Sequence, residues 1–273
     1  MPTVRDALDA LERRFPARLA EEWDVNGLTV GSRDAKITRA HFAVDPTLAV
    51  AREAVAAGAE LLITHHPLML RGVSNVAADT AKGAVVHALV QGGTALANAH
   101  TNADHAAGGV ADALARAVGL EVTGPLVSVA GEAALGTGRV GTLGDGPTLR
   151  DFAQRVASAL PTTAHGVRVA GDLDAPVRTV AVVGGAGDAF LDDARAAGVD
   201  VYVTADLRHH PALDARELAG LGDGRPYLVD VSHFASEWLW LADAAAYLAD
   251  ELGVDTFVST VNTDPWTARF DAS

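Results

Sequence analysis

Short apolar runs alternate with stretches of helical spacing along the first 120 positions of the chain. The apolar runs have the length of buried strands, and they lie at residues 23–31, 38–44, 60–64 and 94–99. Helical spacing predicts helices over residues 4–20, 46–57, 81–90 and 106–118. Thr3 and Asp45 are the expected N-caps of the first two, with Pro46 at the first helical position. Alternating strands and helices favour βαβ units and a mainly parallel sheet.

The second half of the chain repeats part of this pattern. A glycine-rich stretch over residues 121–142 is interpreted as the start of a second lobe. Beyond it, the pattern predicts a helix at 148–159, strands at 167–170 and 179–183, and a long helix over about 232–252. Residues 54–64 recur 140 positions later as residues 194–204, with five identical positions, and His-His-Pro follows each copy. The alternative is that this is only a common helix-to-strand junction of α/β proteins.

These patterns predict an α/β protein built from two related lobes with mainly parallel βαβ units. We expect the first lobe to comprise residues 1–127 and about 230–273, and the second to comprise about 128–229. Gly184 to Gly187 follow a predicted strand and are interpreted as a tight strand-to-helix turn, although such a turn can also bind phosphate.

Composition narrows the chemistry that the chain can perform. With no cysteine among 273 residues, disulfides, thiolate nucleophiles and Cys-based zinc sites are excluded. A metal would have to be bound by His, Asp, Glu and water, which suits Zn, Mn, Fe or Co. The formal charge of −14 disfavours non-specific nucleic-acid binding. No membrane-spanning stretch or signal peptide is recognised, so a cytoplasmic protein is expected.

Candidate metal ligands follow the predicted strands, at the edge where open α/β sheets bind ligands. His65 and His66 come directly after one strand and could serve two ions, although a solvated loop is the simpler interpretation. Asp104 follows another strand and could bridge two cations or simply cap a helix.

His233 and Glu237 lie four residues apart at the start of the predicted C-terminal helix, which places them on one face. The pair could bind a metal or form a surface hydrogen bond. The apolar residues that follow indicate a buried helix, and a buried glutamate without a cation or donor is costly. Metal binding is therefore favoured.

Motifs in order over nearly the whole chain resemble the dinuclear-metal hexamer family (YbgI-like or Nif-three-like), whose members are often labelled GTP cyclohydrolase type 2 homologues. The matching stretches are residues 23–31, 64–67, 99–104, 183–187, 203–210 and 232–237. Four positions depart from the family pattern, because Val25 and Asn26 are exchanged and Ala205 and Ser232 replace glycines.

The resemblance implies that five residues bind two divalent ions in a cleft between the lobes: His65, His66, Asp104, His233 and Glu237. It further implies that His100, His210 and Asp206 are substrate-facing or positioning groups, with one of the two histidines as general acid or base. It also implies a toroidal homohexamer with the metal sites facing an internal cavity.

Two functions follow from such a centre. The favoured one is a metal-dependent hydrolase that activates water between the ions and acts on a small molecule, with a nucleotide as one option. The GTP cyclohydrolase label would correspond to water adding to a purine ring and opening it. The alternative is a non-enzymatic hexamer that binds or delivers metal, or a scaffold for interacting proteins.

Overall fold

The computed structural model describes residues 1–270. The helices are α1 (Val4–Arg14), α2 (Leu48–Ala56), α3 (Ala81–Gly92), α4 (Thr101–His105), α5 (Val110–Ala117), α6 (Leu149–Ala159), α7 (Leu191–Ala196), α8 (His209–Gly220), α9 (His233–Trp238) and α10 (Trp240–Leu252). The strands are β1 (Gly27–Val30), β2 (Arg39–Ala43), β3 (Leu61–Thr64), β4 (Ala95–Asn98), β5 (Glu121–Gly124), β6 (Val127–Val129), β7 (Glu132–Thr137), β8 (Arg139–Thr142), β9 (Arg168–Ala170), β10 (Thr179–Ala186), β11 (Val201–Ala205), β12 (Tyr227–Val231) and β13 (Asp255–Val258). Short 3₁₀ turns occupy Ala17–Leu19 and Asp188–Phe190.

The chain forms two compact units. Unit 1 comprises Met1–Ala107 and Leu241–Thr263, and unit 2 comprises Gly108–Trp240 with the described residues from Asp264 onward. The first boundary therefore lies at Ala107, where the sequence led us to expect residue 127, and the return to the first unit comes after Trp240 instead of near residue 230.

Unit 1 contains a five-stranded sheet in the order β1-β4-β3-β2-β13. The three pairings from β4 to β13 are parallel, and only β1 is antiparallel to its neighbour. Helices α2 and α3 pack on this sheet through a core that includes Val50, Leu62, Leu89 and Leu96. The carboxyl ends of β3 and β4 consequently lie side by side at one edge.

Unit 2 contains a six-stranded sheet in the order β5-β8-β10-β11-β12-β9. Its centre, β10-β11-β12, is parallel, while the outer strands pair antiparallel. A core that includes Leu191, Tyr202 and Leu228 packs against the central strands. The expected α/β fold with mainly parallel βαβ units is confirmed.

The sequence repeat corresponds to a structural repeat. Ala40 pairs with Leu61 in unit 1, and Val180, 140 positions later, pairs with Val201 in unit 2. In both units a carboxylate at the equivalent position, Glu60 or Asp200, accepts backbone N–H groups where the preceding strand begins. Each unit is therefore built on the same β-α-β arrangement with the same register.

Several predicted helices differ from the observed ones for identifiable reasons. Helix α1 has the expected Thr3 cap but ends at Arg14, because Phe15 precedes a proline and leaves the helical region. Helix α2 is capped by Thr47 and begins after Pro46, since the Asp45 carboxylate bonds His66 instead.

Two further segments are interrupted or reassigned. The helix expected over residues 106–118 is two helices, α4 and α5, and the long C-terminal helix breaks between α9 and α10. His209 and His210, which follow the second copy of the repeat, begin α8. The segment at Gly184 is not a strand-to-helix turn, because β10 continues to Ala186. Within residues 1–270, no helix has the length and apolar character that crossing a membrane requires.

We expect Asp200→Ala to destabilise the protein. The buried carboxylate accepts hydrogen bonds from the backbone N–H groups of Arg178 and Thr179, and it forms an ion pair with Arg225. Its loss should therefore lower the free energy of unfolding by about 2–3 kcal/mol at pH 7. Urea titration measures the change. Asp192→Ala, which removes an exposed carboxylate paired with Arg195, is the control and should change stability by less than about 0.5 kcal/mol.

The Asp200 effect should depend on pH in one direction. Burial alone would raise the pKa of Asp200, but the N–H groups of Thr179 and Arg178 outweigh it and hold the pKa below its ordinary value. A lowered folded-state pKa contributes stability above the unfolded-state value of about 3.9, and this contribution disappears as pH falls. The difference between wild type and Asp200→Ala should therefore shrink below about pH 4; a constant difference down to pH 2 would contradict this role.

Candidate metal centre

In unit 1, polar residues follow the carboxyl ends of two adjacent parallel strands. His65 and His66 follow β3 directly, and His100 is the N-cap residue of α4, two residues after β4 ends. The three imidazole rings lie with their centroids 5.0–5.4 Å apart. One nitrogen from each ring lies within 4.8 Å of a nitrogen of the other two. This group could bind a metal ion.

His65 and His66 are each held at Nδ1 by an oxygen atom. His65 Nδ1 donates to the carbonyl of Ala99 at 3.0 Å, and His66 Nδ1 donates to Asp45 Oδ1 at 2.7 Å. Because a carbonyl or carboxylate oxygen can only accept, the proton must be on Nδ1. Nε2 of each ring is then the nitrogen with a lone pair for a cation.

His100 is held in the same way by Asp24. His100 Nδ1 lies 2.7 Å from Asp24 Oδ1, and the other carboxylate oxygen accepts from Asn26 Nδ2 and the Thr101 amide. Burial would raise the pKa of Asp24, but bonds from His100, Thr101 and Asn26 outweigh it and hold the pKa far below its ordinary value. Asp24 is therefore an ionised carboxylate with a fully buried side chain that orients His100.

Asp104 lies close to His65 in this group. Its Oδ1 is 3.6 Å from His65 Nε2, beyond hydrogen-bond length but close to the separation of about 3.3 Å between two ligands of one tetrahedral ion. Helix capping, the alternative role, does not apply: Asp104 lies inside α4, whose N-cap is His100, and the next helix is capped by Gly109.

In unit 2, His233 and Glu237 form a second group at the start of α9. Their side chains face each other with Nε2 3.1 Å from Glu237 Oε1, and His233 Nδ1 lies 2.7 Å from Asp206 Oδ2. Burial would lower the pKa of His233, but the charges of Glu237 and Asp206 outweigh it and raise the pKa to about 11. Two carboxylates around one imidazole thus create a site that attracts a cation.

Glycine at position 185 makes room for this group. Three residues of β10, Val183 to Gly185, lie opposite the single residue Thr204 of β11, which is a bulge in the parallel pairing. Gly185 has φ +69°, and a Cβ there would lie 2.3 Å from Glu237 Oε1 and 3.2 Å from His233 Nε2. Two hydrogen bonds fix the bulge: the Gly185 amide donates to Ser236 Oγ, and Thr204 Oγ1 donates to the Gly185 carbonyl. A larger residue would force the Glu237 carboxylate to move from this position.

Asp206 adopts a conformation that few non-glycine residues use. Its φ is +55°, in the left-handed region, directly after β11. Aspartate is among the residues that tolerate this region, and such strain is common at functional sites. In this conformation Asp206 holds the Nδ1 side of His233, so Asp206 acts as a positioning residue for that imidazole.

His210 belongs to neither of the groups just described. It is exposed at the start of α8, and its ring centroid is 5.1 Å from that of His209. Among the described residues, the groups that could bind a metal do not include it.

Sequence reasoning missed three contributors, Asp24, Asp45 and Gly185. The sequence shows Asp24 only within the motif at residues 23–31, and it predicts Asp45 as a helix cap and Gly185 as part of a turn. The departure at Asn26 also finds a role here, because its side chain bonds both Asp24 and the His100 amide. For Asp45 the signal in the sequence is its position just after β2, the strand before the one that ends at His65 and His66.

The donor set fits divalent metal. In unit 1, oxygen atoms orient His65, His66 and His100 through Nδ1, and Asp104 lies near Nε2 of His65. In unit 2, Asp206 orients His233 through Nδ1, and Glu237 lies beside its Nε2. Nitrogen and oxygen ligands with oriented imidazoles suit Zn, Mn, Fe or Co.

Known proteins resemble this chain over nearly its full length. A curated Streptomyces coelicolor protein called GTP cyclohydrolase 1 type 2 homolog is 50% identical, covering 98% of this chain and 95% of the relative. A Mycobacterium tuberculosis protein with the same name is 35% identical, covering 96% of each. A crystal structure of a Bacillus cereus protein related to NIF3 superposes with a TM-score of 0.88 at 25% identity, covering 97% of this chain and 99% of the other. The model of the Duf34/NIF3 (NGG1p interacting factor 3) family matches residues 2–265, and the chain belongs to that family.

Proposed function

We propose that the protein binds two divalent metal ions through His65, His66, Asp104, His233 and Glu237 and uses them to hydrolyse a small molecule. The observation that carries the proposal is the Nδ1 anchoring of each histidine by an oxygen atom, which presents Nε2 to a cation. His100 has the same anchoring, so it is a further candidate ligand as well as a candidate general acid or base.

The chemistry divides between the ions and the side chains. Bound ions would polarise the reacting group and lower the pKa of water. Asp104 would face His65 as a carboxylate ligand or bridge, while Asp206 holds His233 at Nδ1, on the side of the ring opposite to Glu237. His210, exposed on α8, is the candidate for substrate contact or proton transfer that needs no metal bond.

The name shared by the curated relatives supports a nucleotide as the substrate, with water adding to a purine ring and opening it. Phosphoester and amide hydrolysis would use the same centre. A cytoplasmic, toroidal homohexamer is proposed from the family resemblance. The second candidate function, metal binding or delivery without catalysis, is favoured by the same anchored histidines, which would serve a reservoir equally well.

Metal content should depend on both groups of ligands. If they serve shared ions, Asp104→Asn and Glu237→Gln should each remove most of both ions, because each change replaces an ionised oxygen ligand by a neutral amide. Elemental analysis of protein loaded with Zn or Mn and then desalted measures the ratio. Glu217→Gln, on the exposed surface of α8, is the control and should retain both ions. Loss of only one ion in each variant would show two independent sites.

Turnover should follow metal content if the protein is a hydrolase. Purified protein loaded with each metal is assayed against a panel of nucleoside triphosphates, phosphodiesters and amides. We expect Glu237→Gln to abolish any activity and Glu217→Gln to keep it. Fully loaded protein without activity on the whole panel would favour metal delivery, and activity unchanged in Glu237→Gln would refute the hydrolase.

Gly185→Ala should expel metal through geometry alone. The new methyl group would lie 2.3 Å from Glu237 Oε1, which must then move. Gly198→Ala is the matched control, because Gly198 has a similar φ of +67° with no atom within 4 Å of the added Cβ. Both variants should lose about 1 kcal/mol of stability from the positive φ, but only Gly185→Ala should lower the metal ratio. Equal metal ratios in the two variants would contradict the role of the bulge.

A further inference from the structure

Unit 2 contains an open pocket that the metal chemistry does not use. Its volume is about 400 Å³, within the range of small-molecule sites. The edge strand β9, helix α8 and the end of β12 form its walls, and most of them are apolar. The lining residues used below are Arg168, Val169, Leu207, Leu213, Arg216 and Asp230.

Arg216 is the unusual member of this lining. Its guanidinium donates from Nη1 to the carbonyls of Gly224 and Pro226 at 2.7 and 2.6 Å and lies 5.4 Å from the ring centre of Tyr227. These contacts fix the orientation of the guanidinium but do not neutralise its charge. Within residues 1–270 no carboxylate forms an ion pair with it, although acidic residues outnumber basic ones by 35 to 21 in the sequence. Burial lowers the pKa of Arg216, which reflects its desolvation without a counter-charge.

The other charges around the pocket are already balanced. Arg168 Nε donates to Asp230 Oδ2 at 2.8 Å, and His165 Nε2 is 3.0 Å from the same oxygen. The pocket therefore has one uncompensated positive charge. Leu213, one helical turn before Arg216 on α8, leaves 44% of its surface exposed beside that charge.

We propose that this pocket binds a small organic oxyanion with a planar apolar body, the anion on Arg216 and the body between Val169 and Leu213. The fixed guanidinium supplies donors in a planar fork, which suits a carboxylate or a phosphate monoester. The apolar walls supply the affinity that a free inorganic anion would lack.

The pocket adjoins the residues that position His233. Asp230, on the pocket wall, accepts the Leu207 amide at 3.1 Å, and Leu207 directly follows Asp206. An occupant would thus lie next to the segment that bears Asp206. The assignment of this pocket as the anion subsite of the substrate rests on the proposed metal function, whereas binding of the oxyanion itself does not.

The test measures binding of phenyl phosphate, benzoate, benzyl alcohol and inorganic phosphate to the full chain by isothermal titration calorimetry, in metal-free and metal-loaded protein. We expect phenyl phosphate or benzoate to bind both to metal-free and to metal-loaded protein, and the tighter of the two shows whether the pocket prefers phosphate or carboxylate. The neutral alcohol and inorganic phosphate should bind more weakly. Arg216→Gln should weaken binding of the preferred anion by about 10- to 100-fold, as loss of a charge-assisted bond implies.

Leu213→Glu provides a second variant that leaves the Arg216 bonds to Gly224 and Pro226 intact. It places a carboxylate at the apolar wall and should also abolish binding of the anion, while Arg150→Gln, at an exposed ion pair with Asp174, should not change it. Binding that persists in Arg216→Gln and Leu213→Glu would overturn the proposal. Absence of binding together with a change of oligomer size in Leu213→Glu would also overturn it and assign the face to contact with a second copy of the chain. Binding only in metal-loaded protein would place the anion on the ions and not in this pocket.

Discussion

Fixing an imidazole by its Nδ1 atom is the interaction on which the candidate metal centre depends. A free histidine can present either nitrogen and rotate about two bonds, so a ligand held at one nitrogen is oriented before a metal arrives. Here the anchoring oxygens are Ala99 O, Asp45, Asp24 and Asp206. Removing such partners typically weakens metal binding by about 10- to 100-fold. The protein uses several hydrogen bonds of the Asp24 carboxylate for this purpose, which explains an ionised group in a buried position.

The repeated β-α-β arrangement explains why such groups occur in both units. His65 and His66 follow the second parallel strand of unit 1, and Asp206 follows that of unit 2. In each unit a His with an acid four residues later follows the third strand: His100 and Asp104 in unit 1, His233 and Glu237 in unit 2. Parallel pairing brings the ends of adjacent strands to one edge, so residues distant in sequence meet there. Asp206 occupies the repeat position of His66, 140 residues later, and anchors a histidine where His66 is a candidate ligand itself.

The fold class and the strand-end location of the candidate ligands could be predicted from sequence, because both depend on local periodicity. Short apolar runs identified β2, β3 and β4 to within one residue at each end. Helix interruptions such as that between α4 and α5 could not be predicted, since His100 and Asn102 are held by contacts to distant residues, including Asn26 and Phe15. The anchoring carboxylates were hidden for the same reason. Asp45 has the sequence context of a helix cap, and only tertiary structure shows that its oxygen bonds His66 across 21 positions.

The most direct test of Nδ1 anchoring is nitrogen NMR of protein with ¹⁵N-labelled histidine, recorded without metal and after loading with ¹¹³Cd. The account predicts that His65 and His66 carry their proton on Nδ1 in the metal-free protein, and that cadmium coupling appears on Nε2 of His65, His66 and His233. His209 and His210, exposed at the start of α8, should show no coupling. Coupling to Nδ1 of these ligands, or its absence from all of them in protein that retains cadmium, would contradict the account.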